Sequence, residues 1–234
     1  MAGVLDEVLK VTPDVLVVDD GSTDGTAEIL AARGTDVRVL RHPVNRGYGA
    51  ALTTAFEATL DGPWDGLVTI DCDGQHQPQL IPAFTAAART ADIVSGSRYL
   101  RVFPGDTAPP EARRRVNAEI TADINRRLGL ALTDAFCGFK AYSRRALEEL
   151  CGRHRGPRVT ETGYALPLEV WVYAAAAGLR IVEEPVPLIY LDLARSFGGA
   201  LDDAATRLSY YRRVLDRAEA AVATGSTAPA DGTP

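Results

Sequence analysis

Four short apolar runs, each ending in a polar turn, restrict this chain more than any other feature. Val15–Val18 runs into Asp19-Asp20-Gly21-Ser22, and a helical stretch over Ala27–Arg33 follows, stopped by Gly34. Val37–Leu40 runs into a loop holding Asn45-Arg46-Gly47, then a helix over Ala50–Leu60. Leu67–Ile70 runs into Asp71-Cys72-Asp73-Gly74, and Pro78 starts a helix near Gln79–Arg89. The fourth run, Ile93–Arg98, carries its polar end in Gly96-Ser97-Arg98. Continuous β-rich apolar runs of this length are buried strands. Their alternation with helices predicts an α/β fold, a mostly parallel doubly wound sheet with helices on both faces. In such a sheet the carboxyl ends of the strands share one edge, so the four polar stretches converge although they are far apart in sequence.

The pattern changes after Arg98. Arg101–Pro110 reads as a proline-containing loop, Glu111–Leu128 as a long arginine-rich helix, and Asp134–Tyr142 as a compact loop-strand element. Leu166–Ala177 reads as helix, Ile181–Tyr190 as extended with Pro185 and Pro187 marking an edge, and Arg207–Ala221 as a last helix. A short amphipathic helix around Val4–Leu9 precedes the first strand, and the Ala-, Thr- and Pro-rich tail from Ala223 reads as disordered. With 234 residues the chain suits one domain over 1–222 followed by that tail.

The net charge of −6 gives no reason to expect nucleic acid as a partner, although arginines crowd the middle of the chain, where they suit an anionic substrate or membrane surface or a solvated helix face. Three cysteines without metal-ligand spacing fit a reduced, cytosolic chain. The longest clean apolar run, Val170–Leu179, is too short to span a bilayer, which leaves peripheral membrane contact open.

The sharpest chemical signal is Asp71 and Asp73, one residue apart at a strand end. Two hard oxygen donors there suit a divalent cation that also holds phosphate oxygens, whereas a lone Asp-x-Asp elsewhere is no more than a polar strand end with a turn. Taken with Val17-Val-Asp-Asp-Gly-Ser-Thr-Asp-Gly-Thr26, Asn45-Arg-Gly-Tyr-Gly-Ala-Ala51, Asp71-Cys-Asp-Gly-Gln-His-Gln-Pro78, Gly96-Ser-Arg98 and Asp134-x-x-Cys-Gly-Phe139, it resembles the family 2 glycosyltransferases of the GT-A fold. The nearest group is similar to the dolichyl-phosphate mannosyltransferase-like enzymes, over roughly Val4–Tyr190.

The resemblance implies a metal-dependent, inverting transfer of a sugar from a GDP- or UDP-linked donor to an acceptor such as polyprenyl phosphate, another glycan or a small molecule. It makes 1–98 the nucleotide-sugar half and 99–222 the acceptor half. Asp19 or Asp20 accepts from the nucleotide base, with Gly21, Ser22, Arg46 and Gly47 beside it. Asp71 and Asp73 hold Mg²⁺ or Mn²⁺ against the diphosphate, with Cys72 between them and Arg98 adding a second cation. His76 either faces the metal or caps the following helix. Asp134 and Glu169 are the acceptor-side carboxylates, Glu169 having a salt bridge as its plainer role. Arg195, Ser196 and the Gly198-Gly199 turn suit an anionic acceptor.

The resemblance also places one further strand, and a Pro-Ala-x-Asn-Glu-type loop that grips the nucleotide, ahead of Met1, beside Val15–Val18 and Leu67–Ile70. Either the sequence starts past that strand, or the sheet closes differently and donor binding suffers, which makes an inactive or weakly binding homologue the alternative reading. Two other classes share part of the pattern. A response-regulator receiver has an acidic pair and a phosphoacceptor aspartate, echoed by Asp19-Asp20 and Asp71. A haloacid-dehalogenase-type phosphatase has a nucleophile motif echoed by Asp71-Cys-Asp-Gly74. The first leaves Asp73 unexplained, and the second meets Gln75 where Thr or Val is wanted.

Overall fold

The strands are divided between two sheets. In the computed structural model, which describes residues 1–153, 158–191 and 199–225, β1 (Leu16–Asp19) pairs in parallel only with β2 (Arg38–Arg41). The second sheet has the order β3 (Gly66–Thr69), β5 (Lys140–Ser143), β4 (Ile93–Ser97), β6 (Ile181–Pro185). Strands β3, β4 and β6 run one way, and β5 lies antiparallel between β3 and β4. The architecture is thus the α/β one expected, with a single reversed strand that no local pattern announces.

Helices cover the sheets: α1 (Ala2–Leu9), α2 (Thr26–Ala31), α3 (Tyr48–Leu60), α4 (Ile81–Ala87), α5 (Glu111–Leu128), α6 (Arg144–Leu150), α7 (Leu166–Ala176) and α8 (Ala204–Thr224). Helix α6 was not expected. Ser143 caps it, its hydroxyl accepting from the Ala146 N–H at 3.1 Å, so the end of β5 is also the start of a helix. Helix α8 runs on through Thr224, one residue past the expected start of the tail, whose remaining residues beyond 225 lie outside the described ones.

Packing differs sharply between the sheets. All five residues of β4 are buried, and Ile93 packs with Ile120, Ile124, Trp171 and Leu215 in a core built from α5, α7 and α8. Fully burying one such side chain contributes about 1.5–3 kcal/mol. A second cluster, centred on Phe84 stacked on Phe139 at 4.2 Å, lies on the other face. The first sheet rests on a small cluster of Leu5, Leu30 and Val37, and the apolar residues of β1 are only half-buried.

Between the sheets runs a groove of about 370 Å³, lined by Val15 and Leu16 on one side and by Leu67, Val68 and Ile70 on the other. It lies between β1 and β3, where the resemblance puts a further strand.

Candidate active site

Strand β3 delivers Asp71 and Asp73 to the sheet edge, and the reversed strand β5 builds the wall behind them. The loop entering β5 folds back so closely that a side chain at Gly138 would come within 2.6 Å of Asp71 Oδ2. Thr69 fixes this approach by donating its hydroxyl to the Gly138 carbonyl at 2.8 Å. Asp73 closes its own turn, accepting from the Gln75 N–H at 3.0 Å and the Gln75 amide at 3.2 Å. The Tyr48 hydroxyl crowds the same spot, 3.0 Å from where a Gly138 side chain would stand, and burial together with the Asp71 charge raises its pKa well above the ordinary phenol value, so it stays protonated.

Both carboxylates line a cleft of about 180 Å³ together with Arg98, Arg113 and Arg207 and with Tyr164, Tyr190 and Tyr211. The cleft is therefore polarised, acidic at the end of β3 and basic toward α5 and α8. Two carboxylates alone suit Mg²⁺ or Mn²⁺ better than a caged cation, because such ions keep positions for phosphate oxygens and water. Among the described residues, no three His, Cys, Asp or Glu side chains converge on one point.

His76 is taken out of the ligand set. Its Nδ1 accepts from the Asp71 N–H at 3.3 Å and stands 4.0 Å from Asp71 Oδ2, so this nitrogen is turned to the strand end rather than to open space. It braces the turn from behind. Cys72 is exposed.

Asp134 is likewise no base. It is fully buried, gripped by Arg98 through Nε at 2.6 Å and Nη2 at 2.9 Å, and it also accepts from the Asn117 amide at 2.8 Å and the Phe136 N–H at 3.2 Å. Burial alone would raise its pKa, but the Arg98 guanidinium, aided by Asn117 and Lys140, holds it at about 2. A carboxylate so satisfied does not take up a proton near neutral pH. Arg98 lines the cleft with two of its five N–H groups committed to this pair. Glu183 secures the same loop from β6, accepting from the Thr133 and Asp134 N–H groups.

Glu169 is also buried and outside the cleft. It accepts from the Thr160 and Glu161 N–H groups at 2.6 and 2.9 Å, and Arg217 stands 3.6 Å away. Its expected acceptor-side role gives way to the ion pair that was its plainer reading.

The donor-side loops pack on one another. Asp20 is held by its surroundings, accepting from the Arg46 and Gly47 N–H groups at 2.9 and 2.8 Å and lying 2.6 Å from His42 Nδ1. It shapes the Arg46-Gly47 turn and keeps spare acceptor capacity on Oδ2 alone. Asp19 accepts from the Ser22 N–H at 2.9 Å. Its other oxygen, Oδ2, lies 3.3 Å from Arg41 Nε, near enough for charge attraction but outside hydrogen-bonding geometry, and so keeps acceptor capacity. Gly21 lies against the Val44–Asn45 backbone, and Arg46 is exposed. Arg195, Ser196 and Gly198 lie outside the described residues.

Sequence reasoning passed over Arg113, Asn117, Tyr164 and Tyr211 as site residues. Arg113 was visible only as one of many arginines, while Tyr211 reaches the cleft on α8 and Tyr164 on the turn before α7, placements that no motif encodes.

An α/β sheet that ends in paired carboxylates, in a cleft shared with arginines, is the arrangement of a GT-A glycosyltransferase. Solved structures agree on the fold: glucosyl-3-phosphoglycerate synthase from Mycobacterium tuberculosis, in complex with Mn²⁺ and UDP-glucose, superimposes with a TM-score of 0.65 at 20% identity, covering 95% of this chain and 74% of that one. Residues 2–151 match the profile described as "Glycosyl transferase family 2", and the chain belongs to that family. It is 35% identical over 204 residues to the undecaprenyl-phosphate mannosyltransferase of Micrococcus luteus, covering 85% of this chain and 82% of that protein. It is 32% identical over 219 residues to the polyprenol monophosphomannose synthase of Mycolicibacterium smegmatis, covering 89% and 80%. Family membership displaces the receiver and phosphatase readings.

Proposed function

We propose that this glycosyltransferase moves a sugar from a nucleoside-diphosphate sugar onto a polyprenyl phosphate. The observation that carries the reading is the polarised cleft, which Asp71 and Asp73 line together with Arg98, Arg113 and Arg207. In it, Asp71 and Asp73 hold Mg²⁺ or Mn²⁺, which when bound neutralises charge building on the departing diphosphate. Asp19 Oδ2 accepts from the base, while Asp20 keeps the Arg46-Gly47 turn in shape beside it. Arg113, stacked 5.9 Å from the Tyr190 ring centroid, and Arg207 meet the acceptor phosphate.

The carboxylates lining the described cleft are those two on the metal side. A sugar hydroxyl would need a general base opposite the leaving group, whereas a phosphate is already a nucleophilic anion. The chemistry of Asp134 and Glu169 therefore favours the phosphate acceptor, as do the two relatives, one named for undecaprenyl phosphate and the other for polyprenol. Inversion by direct displacement follows from one nucleophile attacking opposite one leaving group.

A lipid acceptor also accounts for the loop beside the basic wall. Leu100 and Val102 are exposed there, Val102 by 85%, and the Thr107 N–H ties the loop to the Leu188 carbonyl at 2.7 Å. This surface suits peripheral contact with a membrane, and among the described residues no helix is long and apolar enough to cross one.

The deciding experiment supplies GDP- and UDP-linked sugars with Mn²⁺ or Mg²⁺ and a short polyprenyl phosphate, and follows the lipid-linked sugar. Transfer that stops with a chelator supports the reading. Absence of both transfer and donor binding with every donor tested would overturn it.

A further inference from the structure

We propose that Arg217, Glu161 and Glu169 form a buried positioning cluster that sets Tyr48, and through it Asp71, linking helix α8 to the metal end of the cleft. The inference rests on the proposed metal role of Asp71, and its links are all geometric. Arg217 on α8 bonds Glu161 Oε2 at 2.9 Å and lies 3.6 Å from Glu169 Oε1. The Tyr210 hydroxyl, two turns earlier on the same face of α8, donates to Glu161 Oε1. Glu161 Oε1 also accepts from the Gly163 N–H at 3.0 Å, and Glu169 holds the Thr160 and Glu161 N–H groups. The segment 160–163 is therefore clamped from both ends by buried charge.

That clamped segment is the surface on which α3 begins. The Thr162 carbonyl accepts from the Gly49 N–H at 2.7 Å and the Ala50 N–H at 3.3 Å, two of the amides a helix start leaves unbonded. The approach is so close that a side chain at Gly49 would come within 2.3 Å of the Glu161 carbonyl, and one at Gly47 within 2.4 Å of the Thr162 carbonyl. Between these glycines, Tyr48 stacks on Tyr164 at 5.6 Å and 22°, and its hydroxyl and Asp71 Oδ2 close on one point at Gly138, 3.0 and 2.6 Å from where a side chain there would stand. Tyr164 and Tyr211 of α8 both line the cleft. A shift of α8 when the basic wall is filled thus has a short, rigid path to a metal-side carboxylate. None of the three charged residues touches the cleft, so none is catalytic.

Two variants and two readouts test the idea in the full chain. Amide hydrogen exchange reports the clamp, and Mn²⁺ binding with UDP or GDP, followed by electron paramagnetic resonance, reports Asp71. Arg217→Met is expected to speed exchange at Gly49 and Ala50 and to weaken Mn²⁺–nucleotide binding about tenfold or more, with Arg217→Lys recovering most of both. Tyr48→Phe keeps the ring stack and loses the hydroxyl. It is expected to weaken Mn²⁺ binding while exchange at Gly49 stays as in the wild type, which holds the proposal testable even where Arg217→Met fails to fold. Unchanged Mn²⁺ binding in Tyr48→Phe, or unchanged exchange at Gly49 and Ala50 in folded Arg217→Met, overturns the cluster. A wild-type chain that binds Mn²⁺ with neither nucleotide defeats the metal reading of the cleft instead, and the exchange measurement still decides the clamp.

Discussion

The two sheets do unequal amounts of structural work, and the proposed donor loops sit on the weaker one. Strand β4 is buried along its whole length within a cluster that draws on α3, α5, α7 and α8. Strand β1 is half-buried, paired on one side, and backed by a cluster centred on three buried residues. Asp19 to Ser22 and Arg46 to Gly47 project from the small unit, while Asp71 to Asp134 and the basic wall belong to the large one. The described cleft is lined from the large unit alone, so under the proposed function the groups that must hold geometry sit on the well-packed side and the donor loops on the less buried one. Low local stability is where binding loops are commonly found.

The largest expected effect lies on the rigid side. Asp73→Ala should abolish metal-dependent turnover while stability in thermal unfolding falls by no more than about 1–2 kcal/mol, the scale of the turn hydrogen bonds from Gln75 that it gives up. Retained turnover would detach the acidic pair from the chemistry.

Asp134→Asn comes next. Removing one partner of a buried ion pair typically costs about 3–5 kcal/mol, because Arg98 is left without its counter-charge. A pH titration separates this from catalysis. The Asp134 pKa is depressed in the folded state to about 2, against about 3.9 unfolded. Its contribution is therefore present above about pH 4 and is lost as pH falls toward about 2. Urea unfolding of the Asn variant should lose that part of the pH dependence.

Truncations in the two cores sharpen the comparison itself. Ile120→Ala, in the large cluster, should cost about 2–5 kcal/mol, and Leu30→Ala in the small one should fall at the low end of that range. Denaturant midpoints check this, and equal costs would remove the contrast. The smallest effect is read in the unaltered protein, where backbone amides of β1 and β2 should exchange with solvent faster than those of β4 and β5.

What could be read from the residues follows the range of the forces involved. Strands β1 to β4 and their polar ends were legible within one or two residues, because an apolar run and a turn are local signals. The place of β5 was not, since pairing Lys140–Ser143 between β3 and β4 is settled by contacts dozens of residues apart. The same limit applied to the site. Asp71 and Asp73 were marked by spacing at a strand end. Asp134, Glu169 and His76 carry the right functional groups, but only burial and partners reveal that each braces something else. The acidic residue types were visible, while the arginines that decide their protonation were not assignable in advance.

Concentration is the variable to which the divided sheet answers. Among the described residues, β1 and β3 each keep one edge without a ladder partner, and neither strand contains a lysine or proline to discourage pairing. Backbone donors and acceptors on such edges are templates for another extended chain. The protein should therefore stay monodisperse when dilute and gain light scattering as it is concentrated, with urea well below the unfolding midpoint hastening the change by loosening the smaller sheet. Any such association would run through the edges of β1 and β3 that border the groove.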